Sequence, residues 1–141
     1  MSVVLDCSFT SRALIPTQLL PSALDQLERL LTDRAEFIVP YLLQAEFASA
    51  LRQLEARRAL DRDDAAHAWS DLLRLPIDYR WNVRWVERAS EIAAAAGLSK
   101  VYDSIYLACA EAYGFELYTC DARFCRALGR ALPPFVRLVA S

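Results

Sequence analysis

The chain has 141 residues, the size of one domain, and its 55% apolar content suffices for a buried core and excludes intrinsic disorder. Sixteen basic and eighteen acidic side chains give a net charge of −2, a balance that neither requires nor forbids a polyanionic partner. Three glycines and six prolines leave little room for flexible linkers, so one domain over residues 1–141 is expected.

Four cysteines are present, Cys7, Cys109, Cys120 and Cys125, with no Cys-x-x-Cys pair and a single remote histidine, His67. Structural zinc needs Cys/His ligands in tight local pairs, so zinc is not expected. Asp6 interrupts the first apolar run, which argues against a signal peptide. No apolar stretch approaches the ~20 residues of a membrane span. The expectation is a cytoplasmic protein with reduced cysteines and no membrane partner.

In chain order, Val3-Val4-Leu5 is a short, consecutive apolar run that reads as a strand buried on both faces. Ser22, with Asp25 three residues on, predicts a capped helix reaching Leu31. Phe37-Ile38-Val39 reads as a second strand, ended by Pro40. From Tyr41 to Ala59, Leu43, Phe47, Ala50, Leu51 and Leu54 recur at helical spacing. Asp61 and Asp64 open a helix to about Leu75. Another spans Val83 to Ala96 and stops at Gly97, and the next runs from Lys100 to Tyr113 and stops at Gly114. Leu117-Tyr118-Thr119 is a third strand, Arg123 to Arg130 a short last helix, and 135–139 a weaker fourth strand. Strands separated by helices imply right-handed crossovers and a mostly parallel sheet, whose ligands bind beyond the carboxyl ends of its strands.

That rule directs attention to acids. Asp6 directly follows the first strand, and Asp121 follows Thr119 with one residue between. Glu46 falls about 60° from Leu43 on a helical wheel, at the edge of the apolar stripe. Asp103 shares a helix face with Tyr106, Leu107 and Ala110. A buried acid is costly unless paired, neutralised or bound to a cation. A hard divalent cation would satisfy several together, as in metal-assisted phosphodiester cleavage. Each acid also has a purely structural reading. Asp6 and Asp121 can cap helices, Asp103 suits a helix N-terminus, and Glu46 can lie in a solvated groove.

In this order and spacing the segments resemble the PIN-domain family, especially its VapC-type toxins of bacterial toxin–antitoxin pairs. The resemblance rests on Val3-Val4-Leu5-Asp6-Cys7-Ser8, on Val39-Pro40 through Glu46 to Leu51, on Tyr102-Asp103-Ser104-Ile105-Tyr106-Leu107-Ala108, and on Leu117-Tyr118-Thr119-Cys120-Asp121-Ala122-Arg123-Phe124. It implies an α/β fold of three layers, α/β/α, around a mostly parallel sheet of four to five strands. It implies Mg²⁺- or Mn²⁺-dependent endoribonuclease activity on RNA, with Asp6, Glu46, Asp103 and Asp121 as catalytic metal ligands. Ser8 and Thr119 would be supporting polar groups. Where members of that family often carry Asn three residues after the glutamate, this chain has Ser49.

Expected partners are RNA, a small cognate antitoxin and a second copy of the chain in a homodimer. The antitoxin would pack in an apolar groove on the Tyr41–Ala59 and Asp61–Leu75 helices, including Phe47, Leu54 and Trp69. A PIN-fold RNA- or protein-binding module with weak or no cleavage is the alternative. A haloacid-dehalogenase-like phosphatase fits poorly, because Ser8 stands where its second aspartate belongs. A receiver domain lacks its late lysine, since Lys100, the only lysine, follows no strand. Trp69, Trp81 and Trp85 read as core residues with an interface role as the alternative, and His67 reads as a surface residue.

Overall fold

Val3, Val4 and Leu5 are fully buried, as consecutive apolar residues must be in a strand covered on both faces. In the computed structural model, which describes residues 1–140, they belong to β1 (Ser2–Leu5). Parallel partners flank it: β2 (Glu36–Pro40), with Val3 opposite Phe37, and β4 (Glu116–Thr119), with Leu5 opposite Tyr118. Parallel strands close the edges, β3 (Ile77–Arg80) beside β2 and the shorter β5 (Val136–Leu138) beside β4. The five-stranded order is β3-β2-β1-β4-β5.

Chain path and handedness then fix the layers. The helices α1 (Cys7–Leu14), α2 (Pro21–Thr32), α3 (Leu42–Ala56) and α4 (Arg62–Arg74) lie on the crossovers from β1 through β2 to β3. The chain returns over the sheet to β4 through α5 (Val83–Ala95) and α6 (Tyr102–Tyr113), and α7 (Ala122–Leu128) leads on to β5. Right-handed crossovers travelling in opposite directions put α1–α4 on one face and α5–α7 on the other. The packing agrees, with α1 against α2, α3 and α4, and α5 against α6. The strand order reverses between β1 and β4, which opens a crevice at their carboxyl ends.

Several boundaries differ from expectation. β3 was not anticipated: Ile77-Asp78-Tyr79-Arg80 alternates half-buried and exposed residues, as an edge strand does, and offers no continuous apolar run. Ser22 does not cap α2. Pro21 starts that helix, leaving the Ser22 hydroxyl buried without a partner among the described residues. α3 stops at Ala56, not Ala59, because Arg58 turns left-handed (φ 58°) and ends it without a glycine. Asp61, by contrast, caps α4 by accepting from the Asp64 amide, and Gly114 (φ 73°) closes α6.

The tryptophans divide. Trp85 is 5% exposed and in the core, Trp69 is half-buried against it, and Trp81 is 49% exposed. His67 is exposed. Phe47 departs from the expected docking groove: it is fully buried in the core, and the shallow α3–α4 groove is lined instead by Ala48, Leu51, Ala65, Ala66 and Trp69 with charged neighbours. All four cysteines are free. Burial pushes the thiols of Cys7, Cys109 and Cys120 up to about 12, so they stay protonated. Among the described residues no helix is long and apolar enough to cross a membrane.

Candidate active site

β1 ends by handing the chain to a helix, and Asp6 makes the transition. Its backbone is extended (φ −91°, ψ 176°), and its Oδ1 accepts from the Phe9 amide at 2.9 Å and from the Ser8 hydroxyl at 2.7 Å. The Asp6 side chain thus caps α1 and points into the crevice with 2% of the residue exposed. Burial drives its carboxyl up to about 6, against hydrogen bonds from Thr119, Phe9 and Ser8 that favour the charged form; Asp121 raises it further.

β4 delivers the second acid. Asp121 caps α7 by accepting from the Phe124 amide at 3.0 Å. Thr119 Oγ1 accepts from the Asp121 amide at 3.0 Å and lies 3.1 Å from the Ser8 hydroxyl, which also accepts from the Cys120 amide at 2.9 Å. Ser8 and Thr119 therefore tie the ends of β1 and β4 together, fixing the two acids relative to each other.

The helices bring the other two. Asp103 sits in the first turn of α6, and its carboxyl is pushed up to about 7, first by burial, then by the charges of Asp6, Asp121 and Glu46, and by a hydrogen bond with Asp121. Glu46, on α3, accepts a 2.6 Å hydrogen bond from the Tyr106 hydroxyl, and burial raises its carboxyl as well. Asp103 thus lies within electrostatic reach of the other three acids singled out in the sequence, Asp6, Glu46 and Asp121. Ser49 lies outside this group: it is exposed and accepts from Gln53.

The ion pairs among the described residues engage Arg74, Arg80, Arg88 and Arg137, and none involves these four acids. Four carboxylates without an ion-pair partner among the described residues, with Asp6, Glu46 and Asp103 raised in proton affinity first by burial, have the donor chemistry of a hard-cation site: all oxygen, strongly negative and partly desolvated. Among the described residues, no three acidic, His or Cys side chains close into a ready-made cage. A separate cavity of about 180 Å³ between α5, α6 and the end of α7 is lined by Ile92, Leu107, Leu128 and Pro133. Its charges satisfy each other through Arg88, Glu91 and Glu111, so it holds no comparable chemistry.

Sequence reading did not single out Tyr106 as the partner of Glu46. The available signal was a hydroxyl on the buried face of the Asp103 helix, one turn further on, where a buried tyrosine needs an acceptor.

An open parallel α/β sheet binds its ligands at the switch point of its strand order, beyond the carboxyl ends of β1 and β4. The PIN domain model matches residues 3–128, and the chain belongs to that family. It is similar to a VapC ribonuclease of Mycobacterium bovis, 40% identical over 85 residues that cover 60% of this chain and 65% of that protein. Ribonuclease VapC9 of Mycobacterium tuberculosis matches with the same figures. The matched segment thus spans just under two thirds of these curated relatives. Among solved structures, VapBC2 of Rickettsia felis bound to a promoter DNA fragment aligns with a TM-score of 0.64 at 16% identity, covering 99% of this chain and 98% of that one. VapC20 of Mycobacterium tuberculosis, a sarcin-ricin loop cleaving toxin, aligns at 0.62 with 18% identity, covering 89% and 94%. These likenesses identify the fold: a three-layer α/β/α PIN domain with a five-stranded parallel sheet.

Proposed function

We propose that this chain is a divalent-metal-dependent endoribonuclease, the toxin of a toxin–antitoxin pair. The observation that supports the reading is the closeness of Asp103 to the charges of Asp6, Asp121 and Glu46, with no ion-pair partner for any of the four among the described residues. The named relatives, ribonucleases by description, support the choice of RNA.

In this reading Asp6, Glu46, Asp103 and Asp121 would hold Mg²⁺ or Mn²⁺, which would supply charge neutralisation for the phosphate and a more acidic water for phosphodiester hydrolysis. The chain's own residues supply order. The Phe9 amide and the Ser8 hydroxyl fix the rotamer of Asp6. The Ser8–Thr119 contact holds Asp121 at a set distance from it. The Tyr106 hydroxyl orients Glu46. No histidine takes part as base, His67 being exposed on α4.

The partner half of the proposal is a small antitoxin that inserts a basic side chain among the acids and packs apolar residues in the α3–α4 groove beside Trp69. A homodimer belongs to the same reading, and light scattering on the purified chain measures it. Expression of the chain alone should slow bacterial growth, and co-expression of a small adjacent protein should restore it. In vitro, single-stranded RNA should be cut with Mg²⁺ or Mn²⁺ and left intact with EDTA. Absence of cleavage at high purity with either ion contradicts the nuclease reading; harmless overexpression without a binding neighbour contradicts only the toxin half.

A further inference from the structure

The acidic crevice continues, on the α1–α7 side, into a cleft of about 380 Å³ lined by Ser8, Ser11, Arg12, Gln18, Cys120, Asp121, Ala122 and Arg123. Two of these residues, Ser8 and Asp121, belong to the site already described. The others are nearly all polar, and two are guanidinium groups.

Sequence spacing explains the arrangement. Ser8, Ser11 and Arg12 recur at three- and four-residue intervals along α1, so they share one face. Arg12 lies one turn beyond Ser8, roughly 6 Å further along the helix axis. Arg123 comes from the opposite wall, two residues after Asp121. Neither guanidinium has a hydrogen-bonding or ion-pair partner among the described residues, a state shared with most of the chain's arginines; what sets these two apart is their place in one cleft with Ser8 and Asp121. The cleft therefore carries two free forks and the hydroxyl of Ser11 on the doorstep of four carboxylates.

An RNA strand whose cleaved phosphodiester sits at the acids must pass its next phosphates somewhere, and it cannot run over more carboxylates. We infer that the Arg12–Arg123 cleft is a phosphate-binding subsite for the RNA backbone flanking the scissile bond. The inference rests on the nuclease reading above and adds a direction: the strand leaves the crevice along α1 and α7, away from the α3–α4 groove. The planar guanidinium suits bidentate contact with phosphate oxygens. Because the contacts are to backbone, the subsite positions RNA without selecting its sequence.

The test uses the full chain and a fluorescein-labelled single-stranded RNA of mixed sequence, with binding followed by anisotropy in EDTA and cleavage followed separately in Mg²⁺. Arg12→Ala and Arg123→Ala should each weaken RNA binding about fivefold or more, and each should lower the slope of log K against log salt by about 0.7, the single-strand value per phosphate contact. Arg12→Lys should retain the slope while binding more weakly, because charge remains and the fork is lost. Arg29→Ala, on exposed α2, is the control for a diffuse field and should change neither quantity. Melting temperatures should stay constant, since both cleft arginines are exposed and unpaired. Cleavage by the native chain together with unchanged affinity and slope in both cleft variants overturns the subsite and leaves the nuclease reading standing. Equal losses in Arg29→Ala also overturn it. RNA that the native chain neither binds nor cuts overturns both.

Discussion

The Tyr106 hydroxyl donates a 2.6 Å hydrogen bond to Glu46 Oε1, joining α6 to α3 across the acidic crevice. Tyr106 is fully buried while Glu46 is only partly so, and the bond holds the one acid of the four that stands on the middle of a helix. The tyrosine hydroxyl's own ionisation is strongly disfavoured, first by burial and then by the Glu46 charge, so it acts as a fixed donor.

Removing that donor alone should show in metal affinity before it shows in the fold. Tyr106→Phe keeps the ring and loses one hydrogen bond, costing about 1 kcal/mol of stability. Loss of a hydrogen bond that orients a ligand typically costs 10–100-fold in metal affinity or activity. Titration of Mn²⁺ against melting temperature should reveal that loss with the fold retained. An unchanged Mn²⁺ response in a folded variant would show that Glu46 needs no such anchor.

A pH dependence follows from the crowded carboxylates. In the folded, metal-free protein Asp6 and Asp103 titrate near about 6 and about 7, against 3.8 as the ordinary value. The native state therefore holds protons that the unfolded chain has released between pH 4 and 7, and stability falls as pH rises through that window. In EDTA the protein should melt at a higher temperature at pH 5 than at pH 7.5, as far as these groups govern the trend. Asp103→Asn should flatten the slope and raise the metal-free melting temperature at pH 7.5. Scanning calorimetry at both pH values checks this, and an equally steep fall in the variant contradicts it.

Cation binding should reverse that penalty. Millimolar Mg²⁺ or Mn²⁺ at pH 7.5 should raise the native melting temperature by ligand linkage, RT ln(1 + [L]/Kd). The shift should be smaller in Asp103→Asn. Equal shifts in the two proteins would mean that the acids share no cation.

Two helix ends carry avoidable strain. Arg34 (φ 56°) and Arg58 (φ 58°) follow the last turns of α2 and α3 in the left-handed region that favours glycine. Both are exposed, and neither has an ion-pair partner among the described residues. Arg58→Gly should stabilise by about 0.5–1 kcal/mol, a rise of roughly 2–4 °C in melting temperature. A fall on thermal melting would refute the backbone argument.

These same two positions show where sequence reading reaches its limit. Central strands were legible because Val3-Val4-Leu5 and Phe37-Ile38-Val39 must be buried on both faces. Helix stops at Gly97 and Gly114 were legible because glycine advertises the left-handed turn. Arg58 makes that turn without advertising it, and the half-exposed β3 has a composition that many loops share. At the site, Asp6 and Asp121 were legible from the strand-end rule. Glu46 and Asp103 also have ordinary helical roles, so only the tertiary fold brings them into the same crevice. The Ser8–Thr119 contact spans 111 residues and Tyr106–Glu46 spans 60, distances that no local pattern encodes.

RNA cleavage by the native chain and by Asp103→Asn, each with Mg²⁺ or Mn²⁺ and again with EDTA, tests the central claim most directly. The substitution keeps the shape of the side chain in the first turn of α6 and removes the carboxylate whose proton affinity the charges of Asp6, Asp121 and Glu46 raise. The account predicts ion-dependent cutting by the native chain, none in EDTA, and a loss of orders of magnitude in a folded Asp103→Asn. Cleavage at the native rate by that variant, or cleavage that persists in EDTA, would contradict it.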